Sequence, residues 1–271
     1  METIIFYILF FCIGTVFGSF FTLAVYRIPL HQDITHKRSY CPNCNHKLSF
    51  WDMIPILSYI LLGGKCRYCK KKIRIRYLLL EVLTGIVFLL FAMSLNFKFY
   101  TFEISKFIYL IFSLLYIAGI IIIAGIDKEK HQINKNLMIY EMIIVTTYMI
   151  YLYTVEKANI YRYVIYLIFI AILLILENTY FKNKLKNNYT IEILELVLLM
   201  TMFSYELEFI YITILTLLTI SIERIIHLIK DKKSKVHKTE KSHYKNLPIG
   251  FYLCCSNIIV LIITNWLAFR R

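Results

Sequence analysis

Apolar residues in this chain fall into blocks of roughly twenty, a pattern that constrains the fold more than any other feature. A helix rises about 1.5 Å per residue, so a block of this length crosses the roughly 30 Å of hydrocarbon in a bilayer. Hydrophobic residues make up 59% of the 271 positions and charged residues only 18%. A soluble domain would carry roughly a quarter charged residues. The sequence therefore predicts an all-α integral membrane protein whose surroundings are a lipid bilayer.

The apolar blocks predict eight transmembrane helices. They lie at about 4–26, 78–96, 106–126, 137–154, 161–178, 190–204, 207–228 and 248–269. The sixth is the weakest, because it is short and contains Glu192 and Glu195. No basic residue precedes the first block, which is also longer than the apolar core of a signal peptide, so we expect a retained membrane helix. The resulting organisation is a first transmembrane helix at 1–26, an extramembrane segment at 27–77 and a transmembrane domain at 78–271.

The basic residues alternate between loops in a way that predicts the topology. The segment 27–77 holds eleven Lys and Arg residues, the loops after the third and fifth spans hold three each, and residues 230–245 hold seven lysines. These 24 compare with six on the other side. Because positive charge is retained in the cytoplasm, the first set is predicted to be cytoplasmic and both termini to lie outside. The net charge of +14 thus reflects topology, and no continuous basic face indicates nucleic-acid binding.

Four cysteines in the long cytoplasmic loop have the spacing of a metal site. Cys41 and Cys44 form one C-x-x-C pair, and Cys66 and Cys69 form a second. Two such pairs are typical of a structural zinc site with four thiolate ligands, which leaves no open position for water. The alternatives are free thiols or two disulfides, and a cytoplasmic location disfavours disulfides. Because the loop has few apolar residues, bound zinc would supply its folding energy.

Short motifs around these cysteines carry a resemblance to a known family. They are Gly18-Ser19-Phe20, Tyr26-Arg27-Ile28-Pro29, the run from Trp51 to Ser58, and Ile73, Arg74, Arg76-Tyr77 and Glu81. In this order and spacing they resemble the N-terminal part of the prepilin peptidases, the type IV leader peptidases of the bacterial plasma membrane. Nearer the end, Pro248-Ile249-Gly250-Phe251 resembles the family's motif before its last span.

The resemblance implies two activities. Family members cleave the basic leader peptide of type IV prepilins or pseudopilins at the cytoplasmic face, and many then N-methylate the new terminus with S-adenosylmethionine. The sequence has no Gly-rich strand-to-helix pattern that would cradle a nucleotide. Methylation and its S-adenosylmethionine cofactor are therefore implied by the resemblance alone.

The resemblance also implies an aspartic protease, which needs two carboxylates that exchange a proton with water and substrate. Charge at bilayer depth costs several kcal/mol and is retained mainly for function. The acids in or near the spans are Glu81, Asp127, Glu141, Glu192, Glu195 and Glu223. Asp127, which ends the third span, resembles the family's first catalytic aspartate. Ile133 fits the pattern that follows, whereas Asn134 stands in place of a proline.

The second catalytic acid is the point at which this chain departs from the family. The expected Gly-x-Gly-Asp motif is absent, and alignment of the spans puts Glu192 at the aspartate, with Ile191 near a glycine position. Glu192 is the predicted partner of Asp127, and Glu195 is the reserve candidate. The alternative is a catalytically degenerate homologue that acts as a non-enzymatic pilus-assembly factor.

Glu81 fits the family pattern without an evident role. An ion pair with Arg74 or Arg76 near the membrane interface is the expected arrangement. A part in methyl transfer is the alternative.

Overall fold

A computed structural model gives the fold of this chain. It describes residues 2–34, 38–97, 103–156, 161–176, 189–204, 206–233 and 247–269. These residues form α-helices and two short 3₁₀ turns, with isolated β-bridges but no β-strand among them. The helices are α1 Glu2–Arg27, α2 Leu57–Leu61, α3 Ile75–Ser94, α4 Ile104–Lys130, α5 Lys135–Thr154, α6 Tyr161–Leu176, α7 Tyr189–Phe203, α8 Glu206–Lys233 and α9 Ile249–Ala268.

The all-α membrane fold is confirmed, and a helix lies at each of the eight expected positions. Six of them, α1, α3, α4, α5, α8 and α9, are long and apolar enough to cross a membrane. The other two are shorter: α6 has 16 residues and α7 has 15, against the roughly 20 that a perpendicular helix needs. Length and composition alone therefore support six spans among the described residues.

The chain divides into two compact units, of which the first comprises Met1–Leu114 and Asn265–Arg271. Its helices α1 and α3 pack closely because glycines lie at the contact. A Cβ atom at Gly14 would lie 2.8 Å from the Gly85 Cα, and one at Gly18 would lie 2.8 Å from the Glu81 Cα. Gly14 and Gly18 have the G-x-x-x-G spacing that lets membrane helices approach through their backbones. This contact brings the end of α1 against the start of α3, just beneath the cysteine loop.

The second unit, Leu115–Thr264, has its core around the second half of α4. The Tyr116 ring stacks on Phe203 of α7 at 4.2 Å between ring centroids, and its hydroxyl donates to Asn257 Oδ1 of α9 at 3.1 Å. Ile120 and Ile123, one and two turns further along α4, are completely buried. The apolar face of α4 therefore packs into the interior of this unit, and α4 carries Asp127 at its end.

Glu141 of α5 is a second acid buried in this unit. Its side chain is fully buried against Gly119 of α4, where any Cβ would collide with the Glu141 carboxylate. Neither carboxylate oxygen has a hydrogen-bond partner among the described residues. Gly119 precedes Asp127 by about two helical turns, so Glu141 lies beside a deeper part of α4 than the candidate catalytic residue.

Candidate active site and cysteine cluster

The two C-x-x-C pairs form two turns of the same design. In each turn the first cysteine receives a backbone hydrogen bond from the residue just after the pair: Asn45 N–H donates to Cys41 O at 2.8 Å, and Lys70 N–H to Cys66 O at 3.0 Å. Asn45 and Lys70 both have positive φ, at 55° and 57°. This left-handed residue reverses the chain, so both sulfur atoms of a pair point to the same side.

The four sulfur atoms lie where a single metal ion can bind. All four are within 4.8 Å of one another, and Cys41 Sγ is 3.9 Å from Cys69 Sγ. Sulfurs bonded to a tetrahedral Zn²⁺ at about 2.3 Å lie a little under 4 Å apart, whereas a disulfide joins sulfurs at about 2.05 Å. None of the four cysteines forms a disulfide in this structure. The donor set and its spacing therefore fit one tetrahedral thiophilic metal ion.

Two of the four thiols have pKa values shifted in opposite directions. A hydrogen bond from the Lys71 backbone N–H is the main cause that lowers the pKa of Cys69 to about 6. The His46 backbone N–H lowers the pKa of Cys44, but burial and the neighbouring Cys41 and Cys69 thiols outweigh it and raise that pKa to about 11. Four adjacent thiolates repel one another, and a divalent cation offsets that repulsion.

Asp52 connects the second cysteine turn to the preceding segment. Arg67 Nε donates to Asp52 Oδ1 at 2.6 Å, and Tyr68 Oη donates to Oδ2 at 3.3 Å. The same carboxylate accepts from the Ser49 hydroxyl at 2.8 Å and from the Ser49 N–H at 3.2 Å. Burial raises the pKa of Asp52, but these bonds outweigh it and hold the pKa below its usual value. The ionised Asp52 carboxylate therefore links the second cysteine turn to Ser49.

Glu81 does not form the expected ion pair with Arg74 or Arg76. Within the described part of the chain, its Oε2 accepts a hydrogen bond from the Ile56 backbone N–H at 2.8 Å. Ile56 has φ 62° and ψ −55°, and Leu57 N–H donates to Pro55 O at 2.6 Å. This is a tight γ-turn, a strained conformation for a β-branched residue. The turn frees the Ile56 N–H and aims it at Glu81, and the Ser19 side chain is a second hydrogen-bond partner of Glu81.

A cavity of about 530 Å³ lies in the first unit, beneath the cysteine turns. Its lining combines Glu81 with Ser19 and Arg27 of α1, Tyr59 of α2, and Arg74 and Arg76 at the start of α3. A volume of this size lies within the usual range for small-molecule sites.

Asp127 lies in the second unit, one turn before the end of α4, and its side chain is fully buried. Its Oδ2 accepts two hydrogen bonds: from the Tyr189 hydroxyl at 3.0 Å and from the Phe251 backbone N–H at 2.8 Å. Its Oδ1 has no hydrogen-bond partner among the described residues. One carboxylate oxygen is therefore held by two donors, while no described donor is directed at the other.

The Pro248–Phe251 motif has a direct role at this site, because it begins α9. The N–H groups at a helix start have no partners within the helix and carry partial positive charge. Asp127 satisfies the N–H of Phe251, and a Cβ at Gly250 would lie 2.9 Å from Asp127 Oδ2. Glycine at this position thus lets the carboxylate reach the start of the helix.

Glu192 lies in the first turn of α7, half-buried, and its Oε2 accepts a hydrogen bond from the Ile133 N–H at 3.4 Å. Ile133 belongs to the connection that follows α4, and its Cδ1 lies 3.6 Å from the Cβ position of Gly250. Glu192 thus reaches the same turn region as Asp127. Asn134, in place of the family's proline, caps α5 by accepting from the Asn136 N–H at 2.9 Å.

The other acids lie elsewhere. Glu195 is buried one turn further along α7, Glu141 is buried against α4, and Glu223 lies on α8. The pairing of Asp127 with Glu192 stays a prediction. Sequence reasoning missed Tyr189, because it stands near a position where the resemblance predicts a glycine and no local pattern indicates the long-range contact with Asp127.

Comparison with known proteins places a similarity in the N-terminal third. Residues 12–95 match the family model described as the bacterial peptidase A24 N-terminal domain. A prepilin leader peptidase/N-methyltransferase from Myxococcus xanthus is 42% identical over 84 residues, which are 31% of this chain and 25% of that protein. Proteins of the same name from Vibrio cholerae (40% over 86 residues, 29% of this chain and 34% of the relative) and Bacillus subtilis (41% over 78 residues, 29% and 32%) match similarly.

These matches confirm the resemblance to prepilin peptidases over the first third of the chain, which holds α1, the cysteine cluster and α3. The chain spans only about a quarter to a third of the length of these relatives. No solved structure matches it significantly. Asp127, Tyr189, Glu192 and Gly250 all lie outside the matched segment.

Proposed function

We propose that this chain is a membrane endopeptidase that cleaves the leader peptide of type IV prepilins or pseudopilins. Its acid pair would be Asp127 and Glu192, at the cytoplasmic boundary of the bacterial plasma membrane. The similarity of residues 12–95 to proteins named prepilin leader peptidase supports the substrate class. The excess of 24 basic residues over six supports the cytoplasmic assignment of the cysteine loop and the acids.

The observation that carries the peptidase proposal is the asymmetric carboxylate of Asp127. A buried acid with one oxygen bound by two donors and the other unpartnered suits directed proton exchange. In the proposed reaction, one carboxylate takes a proton from water as the water oxygen attacks the scissile carbonyl carbon. The other acid gives its proton to the departing amide nitrogen as the C–N bond breaks. Glu192 supports this scheme because it is held at Ile133, in the connection just beyond Asp127.

The experiment is prepilin cleavage by purified protein in lipid nanodiscs, with Glu192→Gln, Glu192→Asp and Glu195→Gln compared with the wild type. An amide neither takes nor gives the required proton, so Glu192→Gln should lower kcat by at least about 10²-fold, as expected for loss of a general acid or base. Glu195→Gln is the matched control on the same helix and should retain cleavage.

The outcomes of this assay identify the second acid and distinguish an active peptidase from a degenerate homologue. If Glu192→Gln cleaves at the wild-type rate and Glu195→Gln does not, Glu195 replaces Glu192 in the pair. If the wild type leaves every cognate prepilin intact but still binds it, the alternative of a degenerate homologue in pilus assembly is correct. That alternative is favoured by one observation: the Gly-x-Gly-Asp motif is absent, and Thr190 or Ile191 stands near the expected glycines.

We also propose that the cysteine cluster holds one structural zinc ion through Cys41, Cys44, Cys66 and Cys69. Zinc closed by four thiolates has no position for a catalytic water, so its role would be to fold segment 27–77. The transmembrane domain at 78–271 would then carry the peptidase residues.

N-methylation of the new pilin terminus with S-adenosylmethionine is the proposed second activity. The names of the matched relatives support it, and the cavity of about 530 Å³ lies in the matched segment. Transfer of radiolabelled methyl groups from S-adenosylmethionine to a processed pilin tests this. Label on the pilin from the wild type, and none after Glu81→Gln, would support methylation at this cavity. Wild-type protein that cleaves but transfers no label would refute it.

A further inference from the structure

A chain of hydrogen bonds runs from the start of α9 through Tyr189 to Asp127. The Gly250 backbone N–H donates to Tyr189 Oη at 3.3 Å, and Tyr189 Oη lies 3.0 Å from Asp127 Oδ2. An amide N–H can only donate, so the tyrosine oxygen accepts there, and its own proton is directed to the carboxylate. The donor and the acceptor of each hydrogen bond in this series are therefore determined.

We infer that Tyr189 is a positioning residue that fixes the Asp127 carboxylate with Oδ2 occupied and Oδ1 as its proton-exchanging oxygen. This inference rests on the proposed peptidase function and adds a third residue to its acid pair. No part of the matched N-terminal segment contains Tyr189.

The two donors at Oδ2 determine which oxygen of Asp127 is protonated. Tyr189 and Phe251 direct hydrogens at Oδ2 from different helices, α7 and α9. A proton on Oδ2 would oppose these two donors, so a protonated Asp127 carries its proton on Oδ1. Since Oδ1 has no partner among the described residues, the exchange is confined to that one atom.

Tyr189 also determines where the second acid lies. It is the first residue of α7, and Glu192 follows three residues later, so both side chains lie on one face of the helix. Tyr189 binds Asp127 at the end of α4, while Glu192 binds the Ile133 N–H in the connection beyond it. The first turn of α7 is thereby fixed at two points against the segment that carries Asp127. A glycine at position 189 would lack the hydroxyl contact with Asp127.

The test compares Tyr189→Phe with Tyr140→Phe in the nanodisc cleavage assay. Tyr140 is the control, because its hydroxyl also donates a hydrogen bond in the same unit, to Leu115 O at 3.2 Å. Tyr189→Phe should lower kcat by about 10- to 100-fold, the range that one hydrogen bond to a charged group supports, and leave KM unchanged. Tyr140→Phe should leave both constants unchanged. Equal kcat values for Tyr189→Phe and the wild type would overturn the inference.

Two further measurements separate positioning from folding. With 4-aminophenylalanine at position 189, which keeps a donor at the same ring position, kcat should return to within about threefold of the wild type. A kcat as low as that of Tyr189→Phe would overturn the inference. The melting temperatures of Tyr189→Phe, Asp127→Ala and the double variant should be non-additive, since each single change removes the contact between the two side chains. This cycle needs no activity, so additive shifts would refute the contact even if the wild type cleaves nothing and the proposed function fails.

Discussion

Gly250→Ala would have two opposing effects on the stability of the protein, both at the start of α9. Alanine is favoured over glycine in a helix by about 1 kcal/mol, so at an open position the change would stabilise the protein. Here the added Cβ would lie 2.9 Å from Asp127 Oδ2 and 3.2 Å from its Cγ. Overpacking of a buried site costs about 1–3 kcal/mol, so we expect a net loss of up to about 2 kcal/mol.

The same clash moves the Asp127 carboxylate away from the Phe251 N–H. Errors of about 1 Å in the position of a catalytic group can lower rates by about 10²-fold. Thermal unfolding and prepilin cleavage should therefore both be impaired in Gly250→Ala. Thr190→Ala, at an exposed helix position, is the control and should retain activity. A Gly250→Ala protein that is more stable than the wild type and equally active would refute the close approach of Asp127 to α9.

Two further predictions concern the cysteine loop. Metal analysis should find one zinc ion per chain. Cys66→Ser should lose the zinc, and its segment 27–77 should become sensitive to protease. A wild type that contains no metal and has four freely alkylated thiols would contradict this prediction. Burial raises the pKa of Asp52, but the hydrogen bonds from Arg67 and Ser49 outweigh it and hold that pKa below its usual value. The ionised carboxylate therefore stabilises the loop above about pH 4, the ordinary range of Asp. This stabilisation is lost as pH falls through the lowered pKa. Asp52→Asn should therefore flatten the fall in protease resistance below pH 4, and an unchanged pH profile would refute that role.

Local patterns predicted the membrane fold and the cluster of four cysteines. Apolar blocks of roughly twenty residues require spanning helices, because the bilayer leaves the backbone no other partner. Cys41 with Cys44 and Cys66 with Cys69 could be grouped from spacing, because each pair closes its own turn. Of the eight expected spans, six are long and apolar enough to cross a membrane within the described residues.

Long-range side-chain contacts could not be predicted from sequence. The expected ion pair of Glu81 was wrong because its actual partner depends on the positive φ of Ile56. The contact of Tyr189 with Asp127 joins residues 62 positions apart, and that of Phe251 joins residues 124 apart. Asp127 was proposed from its place at the end of a span and its resemblance to the family's first catalytic aspartate, but the groups that bind its carboxylate were not predicted.

The most direct test of the central claim is the mass of a cognate prepilin after incubation with the wild type and with Asp127→Asn. Asparagine keeps an oxygen that can accept from the Phe251 N–H and the Tyr189 hydroxyl, so the variant should melt within a few degrees of the wild type. It can no longer exchange a proton. The account predicts that the wild type produces a mature pilin shortened by its leader, whereas Asp127→Asn leaves the precursor intact. A folded Asp127→Asn protein that cleaves the prepilin as fast as the wild type would contradict it.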